Sequence, residues 1–218
     1  MPRSAAVSSL PARVSPADPK LALILAAETI FARQGIERAS LREIAAHAGQ
    51  RNHHAVQYHF GSRAALVQAV FDHRMAQMEA QRAALLAEAG DAGAPGALRK
   101  VVEAIFLPQI DLIDAQGDHS YAAFLSEYLM LYPGRGFGEF GANLPPQITR
   151  CLTLLRVAMA DLPEAAAQRR LIGACFLFLN ILIAHTRSGD DEPESFSAAV
   201  TDTIDQIVAA LSVPRQAA

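Results

Sequence analysis

Only two of the 218 residues are cysteine, Cys151 and Cys175. Both stand in apolar helical patterns and read as small buried hydrophobes, and they fit neither a disulfide framework nor a zinc site. Long apolar runs are also lacking. The longest uncharged stretch, LIGACFLFLNILIA at 171–184, has 14 residues and is too short to cross a bilayer comfortably. The opening MPRSAAVSSLPARVSPADP has no apolar core of the signal-peptide kind and holds four of the 12 prolines, so a disordered tail is expected over 1–18. Val, Thr and Tyr are scarce beside Ala and Leu, which favours an all-α fold over strands. The sequence offers no nucleophile elbow, paired-carboxylate motif or phosphate loop, so neither catalysis nor a cofactor is expected. A reduced, cytoplasmic protein without a membrane partner is the simplest fit.

An overall basic excess is missing as well, since the net charge is -3, yet that average hides an asymmetry. Residues 1–75 carry nine Arg and Lys against five acids, which gives +4, and five of the seven histidines; the remainder is therefore strongly acidic. Two jobs are implied, a basic N-terminal unit and an acidic C-terminal one.

Along the chain, Leu23, Ile24, Ala27, Ile30 and Phe31 recur at helical spacing, and Gly35 ends that helix. Ser40 and Glu43 form a capping box before a short helix at about 41–48 that buries Leu41, Ile44, Ala45 and Ala48; Gly49 then turns the chain. A third short helix is expected from a cap at Asn52, and Ser62 caps the next. Two short helices about a Gly-bearing turn, flanked by longer ones, make a helix-turn-helix unit near 20–62. Further helices are expected at 62–89, 96–115 (kinked by Pro108), 118–132, 144–160, 164–187 and 194–212, about nine in all. The glycine-rich YPGRGFGEFGA at 132–142 is expected as a loop.

The third helix carries RNHHAVQYHF at 51–60. With Ala55 and Val56 facing inward, Arg51, Asn52, His53, His54, Gln57, Tyr58 and His59 are left to cover the outside. A merely solvated face would carry Glu and Lys, and this run has neither. A metal site would need histidines three or four residues apart, which His53, His54 and His59 are not. Duplex DNA uses the whole set, because Arg pairs with guanine edges, Asn and Gln with adenine, and imidazoles with phosphates or bases.

The pieces IFARQGIERASLREIAAHAG and AVQYHFGSRAALVQAV resemble the tetracycline-repressor (TetR) family of bacterial transcriptional regulators over about residues 20–71. The resemblance implies a helix-turn-helix DNA-binding domain (19–63), a helical ligand-binding and dimerisation domain (64–218), a homodimer, and a palindromic operator released on effector binding. It implies phosphate contacts for Arg42, at the start of the second helix, and for Arg63, which opens the fourth. Tyr58 and His59 would touch phosphates and flanking bases. Departing from many relatives, this chain has QRN after Gly49 and one residue inserted before Ala55, so its turn is longer.

LIGACFLFLNILIAHT is apolar on nearly every side, so it needs burial on more than one face. With the last helix it is expected to build a dimer interface from Ile172, Phe176, Leu179, Ile183, Val200, Ile204, Ile207 and Leu211. A pocket for a small apolar effector is expected among Phe106, Gln109, Ile110, Phe124, Tyr128, Tyr132, Phe178 and Asn180. A non-enzymatic carrier of lipid-like molecules is the alternative, and it leaves the basic N-terminal unit without a purpose.

Overall fold

The computed structural model describes residues 18–88, 96–131, 144–188 and 194–214, and these fold into ten α-helices and one 3-10 turn without strands. The expected tail (1–17) and the loop at 132–142 lie outside the described residues.

Helix α1 (Pro19–Gln34) starts with Pro19 in its first turn and the Asp18 carboxylate accepting from the Lys20 amide. All five stripe residues are buried, and so are Ala22, Ala26, Glu28 and Thr29. That breadth of burial has a cause: α1 is packed by α2 (Leu41–His47), α4 (Arg63–Gln77) and α7 (Ser120–Leu131) on different sides. At its end Gly35 has φ +92°, a conformation that L side chains rarely adopt, and its amide donates to the Phe31 carbonyl.

The second helix keeps half of its capping box. The Ser40 hydroxyl accepts from the Glu43 amide at 3.4 Å, but the Glu43 carboxylate accepts from Gln34 Nε2 at 2.7 Å instead of turning back to Ser40. Ile44, Ala45 and Ala48 are buried, while Leu41 is half-buried. The third helix, α3 (Ala55–Phe60), begins later than its sequence suggests. Asn52 Oδ1 accepts from the His54 amide at 2.9 Å, which closes a side-chain turn one step ahead of the helix and leaves Asn52 outside it. The inserted residue thus lengthens the turn, not the helix.

Ser62 caps α4 by accepting from the Ala65 amide. The single helix expected over 62–89 is divided at Met78 into α4 and α5 (Glu79–Ala87). Met75 O, which an unbroken helix would offer to the Glu79 amide, receives Arg82 Nη1 at 3.3 Å. Next, α6 (Ala97–Phe106) ends where a kink was expected. Pro108 has no amide to donate, so although Leu107 keeps helical geometry (φ -59°, ψ -36°) the chain tightens into a 3-10 turn at Leu107–Gln109 and leaves the helix.

The remaining helices, α8 (Pro146–Ala158), α9 (Glu164–Ser188) and α10 (Phe196–Ser212), follow the predicted spans closely. The first turn of α8 is capped from α5, since the Glu79 carboxylate accepts from the Gln147 and Ile148 amides at 2.8 and 3.2 Å. Helix α9 packs on α7 and α10, and α10 also lies on α6, where Arg99 pairs with Asp205. One continuous apolar core runs from the three-helix head into the C-terminal bundle. Phe31 of α1 and Phe124 of α7 stack across that boundary at 6.0 Å. Burying each such ring is worth roughly 1.5–3 kcal/mol.

Candidate nucleic-acid interface and effector cavity

Two small apolar side chains hold α3 to the head. Ala55 and Val56 are buried, and the helix packs against α2 and α4. Everything polar in the run is then forced outward: Arg51, Asn52, His53, His54 and Gln57 are exposed. Tyr58 is 81 % exposed, an unusual position for a large aromatic in a folded chain. His59 is half-buried and meets the Tyr58 ring edge-on at 4.9 Å. Six of these seven residues are thus exposed and His59 is half-buried, and the exposed Arg42 lies in the neighbouring α2.

Two members of this set have additional engagements. The Asn52 side-chain oxygen is held in its turn, so pairing both edges of its amide with adenine requires opening that bond. Arg63 Nη1 donates to the Ile36 and Ala39 carbonyls at 2.8 and 2.7 Å, which ties the start of α4 to the α1–α2 turn. Sequence reasoning passed over this positioning role, because nothing in the spacing shows two carbonyls in need of a donor. It also passed over Lys20, exposed at the start of α1 with its ammonium 5.7 Å from the centre of the Phe60 ring. Its position in the first turn of the basic unit was the available signal.

The body holds a small cavity between α4, α5, α6, α7, α8 and α9. Among its walls are Phe71, Met75, Arg82, Phe106, Gln109 and Cys175. About 20 Å³ of it admits a water molecule, inside a recess of about 410 Å³ that includes space open to solvent. Of the expected pocket residues, Phe106 and Gln109 do line it. Phe124, Tyr128 and Phe178 are buried core that does not reach it, Ile110 is half-buried elsewhere, and Asn180 is exposed on the outer side of α9. Tyr132 lies outside the described residues. Arg82 was missed because a charged residue in a mixed helical stretch looks solvated, whereas here it is 1 % exposed. The two cysteines are buried thiols, and burial pushes them up to about 11 (Cys151) and about 12 (Cys175).

Of the expected dimer-face residues, Leu179, Val200, Ile204, Ile207 and Leu211 are covered by the chain's own helices and cannot meet a partner first. Ile172, Phe176 and Ile183 are half-buried. The error is one of helix face: the regularly spaced residues of α10 seal its own bundle, as an amphipathic stripe ordinarily does. What stays exposed on α9, over the residues whose side chains are described, is Glu164, Ala165, Arg169, Gly173, Leu177 at 40 % exposure, and Asn180. Over Glu164–His185, α9 is by length and composition apolar enough to cross a membrane, yet only 33 % of its most apolar part is buried inside the chain.

A short helix on a two-helix support, ahead of the helical body, is a helix-turn-helix arrangement. Residues 23–70 match the family described as bacterial regulatory proteins, tetR family. Among solved structures, the chain is similar to one described as a TetR-family transcriptional regulator from Mesorhizobium loti MAFF303099 (14 % identity, 89 % of this chain and 95 % of that one, TM-score 0.48). It is also similar to a TetR-family regulator from Streptomyces coelicolor A3 (18 %, 89 % and 95 %, TM-score 0.45). A third similar structure comes from work on the control of antibiotic production by a bacterial hormone (21 %, 88 % and 96 %, TM-score 0.48). Comparison with curated proteins gave no significant match.

Proposed function

We propose that this regulator binds a palindromic operator as a homodimer and represses transcription until a small, largely apolar effector occupies the body cavity. The surface at α3 carries the reading: of seven hydrogen-bonding or basic side chains, Arg51, Asn52, His53 and His54 stand in the turn before the helix and Gln57, Tyr58 and His59 on it, while Ala55, Val56 and the half-buried Phe60 hold it to the head. Arg51 and Gln57 are the proposed base readers, with His53 and His54 beside them and Asn52 joining if its turn opens. Arg42, Tyr58, His59 and Lys20 are the proposed backbone contacts, and Arg63 sets the angle of α4 under them. One short helix grips weakly, whereas two set about 34–36 Å apart read successive major-groove faces. The open apolar side of α9 supports the pairing of two chains that this requires.

Effector coupling follows from α4. That helix contributes Phe71 and Met75 to the cavity and Arg74 to a buried ion pair with Glu28 of α1. A ligand that displaces Met75 would move the helix that carries the head, and would lower DNA affinity to the extent that it binds the displaced form better. A store for lipid-like molecules fits less well, since it leaves the basic N-terminal unit and the exposed polar residues at α3 without a purpose. The test is binding of the full chain to duplex DNA over a range of salt. A log-affinity slope that becomes shallower by about 1.8 per dimer in Arg42→Ala supports the reading, at roughly 0.9 per phosphate contact. Salt-independent binding contradicts it.

A further inference from the structure

Arg82 is the charged group least expected where it stands. Its side chain is 1 % exposed, in a cavity wall that is otherwise mostly apolar. Its donors have poor partners: Nη1 reaches Met75 O at 3.3 Å, and Nη2 reaches the sulfurs of Met75 and Met78 at 3.7 and 3.4 Å. Nε has no hydrogen-bond partner. The nearest carboxylate, Glu79, lies 3.5 Å away, well beyond the 2.7–2.9 Å of a good charge-assisted bond. Both Glu79 oxygens already accept amides from the first turn of α8. Glu79 thus pairs with Arg82 only at 3.5 Å and leaves Nε without an acceptor, and a buried guanidinium so weakly paired is costly unless something completes its bonding.

Gln109 supplies a second, independent observation. It is 6 % exposed on the same wall, its Nε2 makes only a long bond to Ile105 O at 3.4 Å, and its Oε1 has no partner. A strong donor–acceptor site with two unsatisfied edges, enclosed by Phe71, Phe106 and Leu179, has the form of a ligand anchor. The adaptable Met75 side chain is the wall most easily moved aside.

We propose that the effector is a small carboxylic acid with an apolar body, its carboxylate on the Arg82 guanidinium and a hydroxyl or amide N–H donating to Gln109 Oε1. This rests on the reading of the body as an effector domain. The test uses the full-length protein with monocarboxylates of six to ten carbons, aliphatic and aromatic, each beside its hydroxylated form and its uncharged primary amide. Affinity is read by calorimetry and by shift of the thermal midpoint. Acids are expected to bind about 10- to 100-fold tighter than the matching amides, the hydroxylated acids tightest. Arg82→Gln is expected to erase the acid-over-amide preference, and Arg82→Lys to keep part of it. If Arg82→Gln does not fold, Gln109→Leu serves, which should erase the hydroxyl preference and leave the acid preference intact. Equal affinity for acids and amides overturns the proposal while leaving the effector site standing. Absence of binding by acids, hydroxy acids and amides alike overturns both, and points to a single water or to simple neutralisation of Glu79 as the purpose of Arg82.

Discussion

Arg74 and Glu28 meet in a two-point ion pair inside the protein, Nε donating to Oε2 at 2.6 Å and Nη2 to Oε1 at 2.7 Å. Ser120 Oγ donates to the same carboxylate at 2.8 Å, so one buried cluster joins α1 of the head, α4 that carries it, and α7 of the body. Truncating one member leaves a charge uncompensated in the interior, which costs about 3–5 kcal/mol. Urea denaturation should therefore show Glu28→Ala and Arg74→Ala each strongly destabilised, and the double variant Glu28→Leu with Arg74→Met recovering much of the loss. Independent, additive losses would contradict the coupling.

His73 neighbours that pair and gives the stability a pH dependence. Burial, and after it the Arg74 charge, holds its imidazole below the usual 6.5, with Glu28 opposing. A lowered pKa in the folded state means that protonation favours unfolding. The contribution is present above 6.5 and is lost as pH falls through the lower folded-state value. His73→Gln should flatten the fall in stability below that pH relative to the unaltered chain; an unchanged profile would remove His73 from the account.

A second tie between head and body sits at Gly35. The Ile36 amide donates to Glu127 Oε2 of α7 at 2.9 Å, and a Cβ on Gly35 would stand 2.6 Å from Glu127 Oε1. Gly35→Ala combines a disfavoured positive φ with that clash, and should cost about 1–3 kcal/mol. Adding Glu127→Ala should relieve the clash and leave the backbone strain, so the double variant should lose less than the two single losses combined. Thermal denaturation of the four proteins decides this.

These ties explain how much could be read from the sequence. Helix positions were legible because Ser40, Ser62, Gly35 and the prolines act locally, through the next few amides. The outward polar face of α3 was legible for the same reason, as Ala55 and Val56 fix which side is buried. What the sequence concealed depends on groups distant in the chain. Glu43 turned to Gln34, Arg63 to carbonyls of the α1–α2 turn, and Arg82 into a cavity built from six helices. Which residues of α9 stay exposed was misread because an all-round apolar helix has no stripe to orient it.

The open side of α9 makes a direct prediction about assembly. Leu177 is 40 % exposed and stands one turn from Gly173, where an added Cβ meets nothing within 4 Å. Leu177→Arg should leave the thermal midpoint of the chain close to its original value and convert a dimer to a monomer in sedimentation velocity. A variant that stays dimeric would move the interface away from this face.

Duplex fragments selected from the source genome by the full-length chain, followed by footprinting at base resolution, test the central claim most directly. The account predicts enrichment of an inverted repeat whose half-site centres lie one helical turn apart, or a small multiple of it, with Arg51→Ala relaxing preference at one base of each half. Footprints on a single unpaired half-site, or no enriched sequence at all, would contradict it.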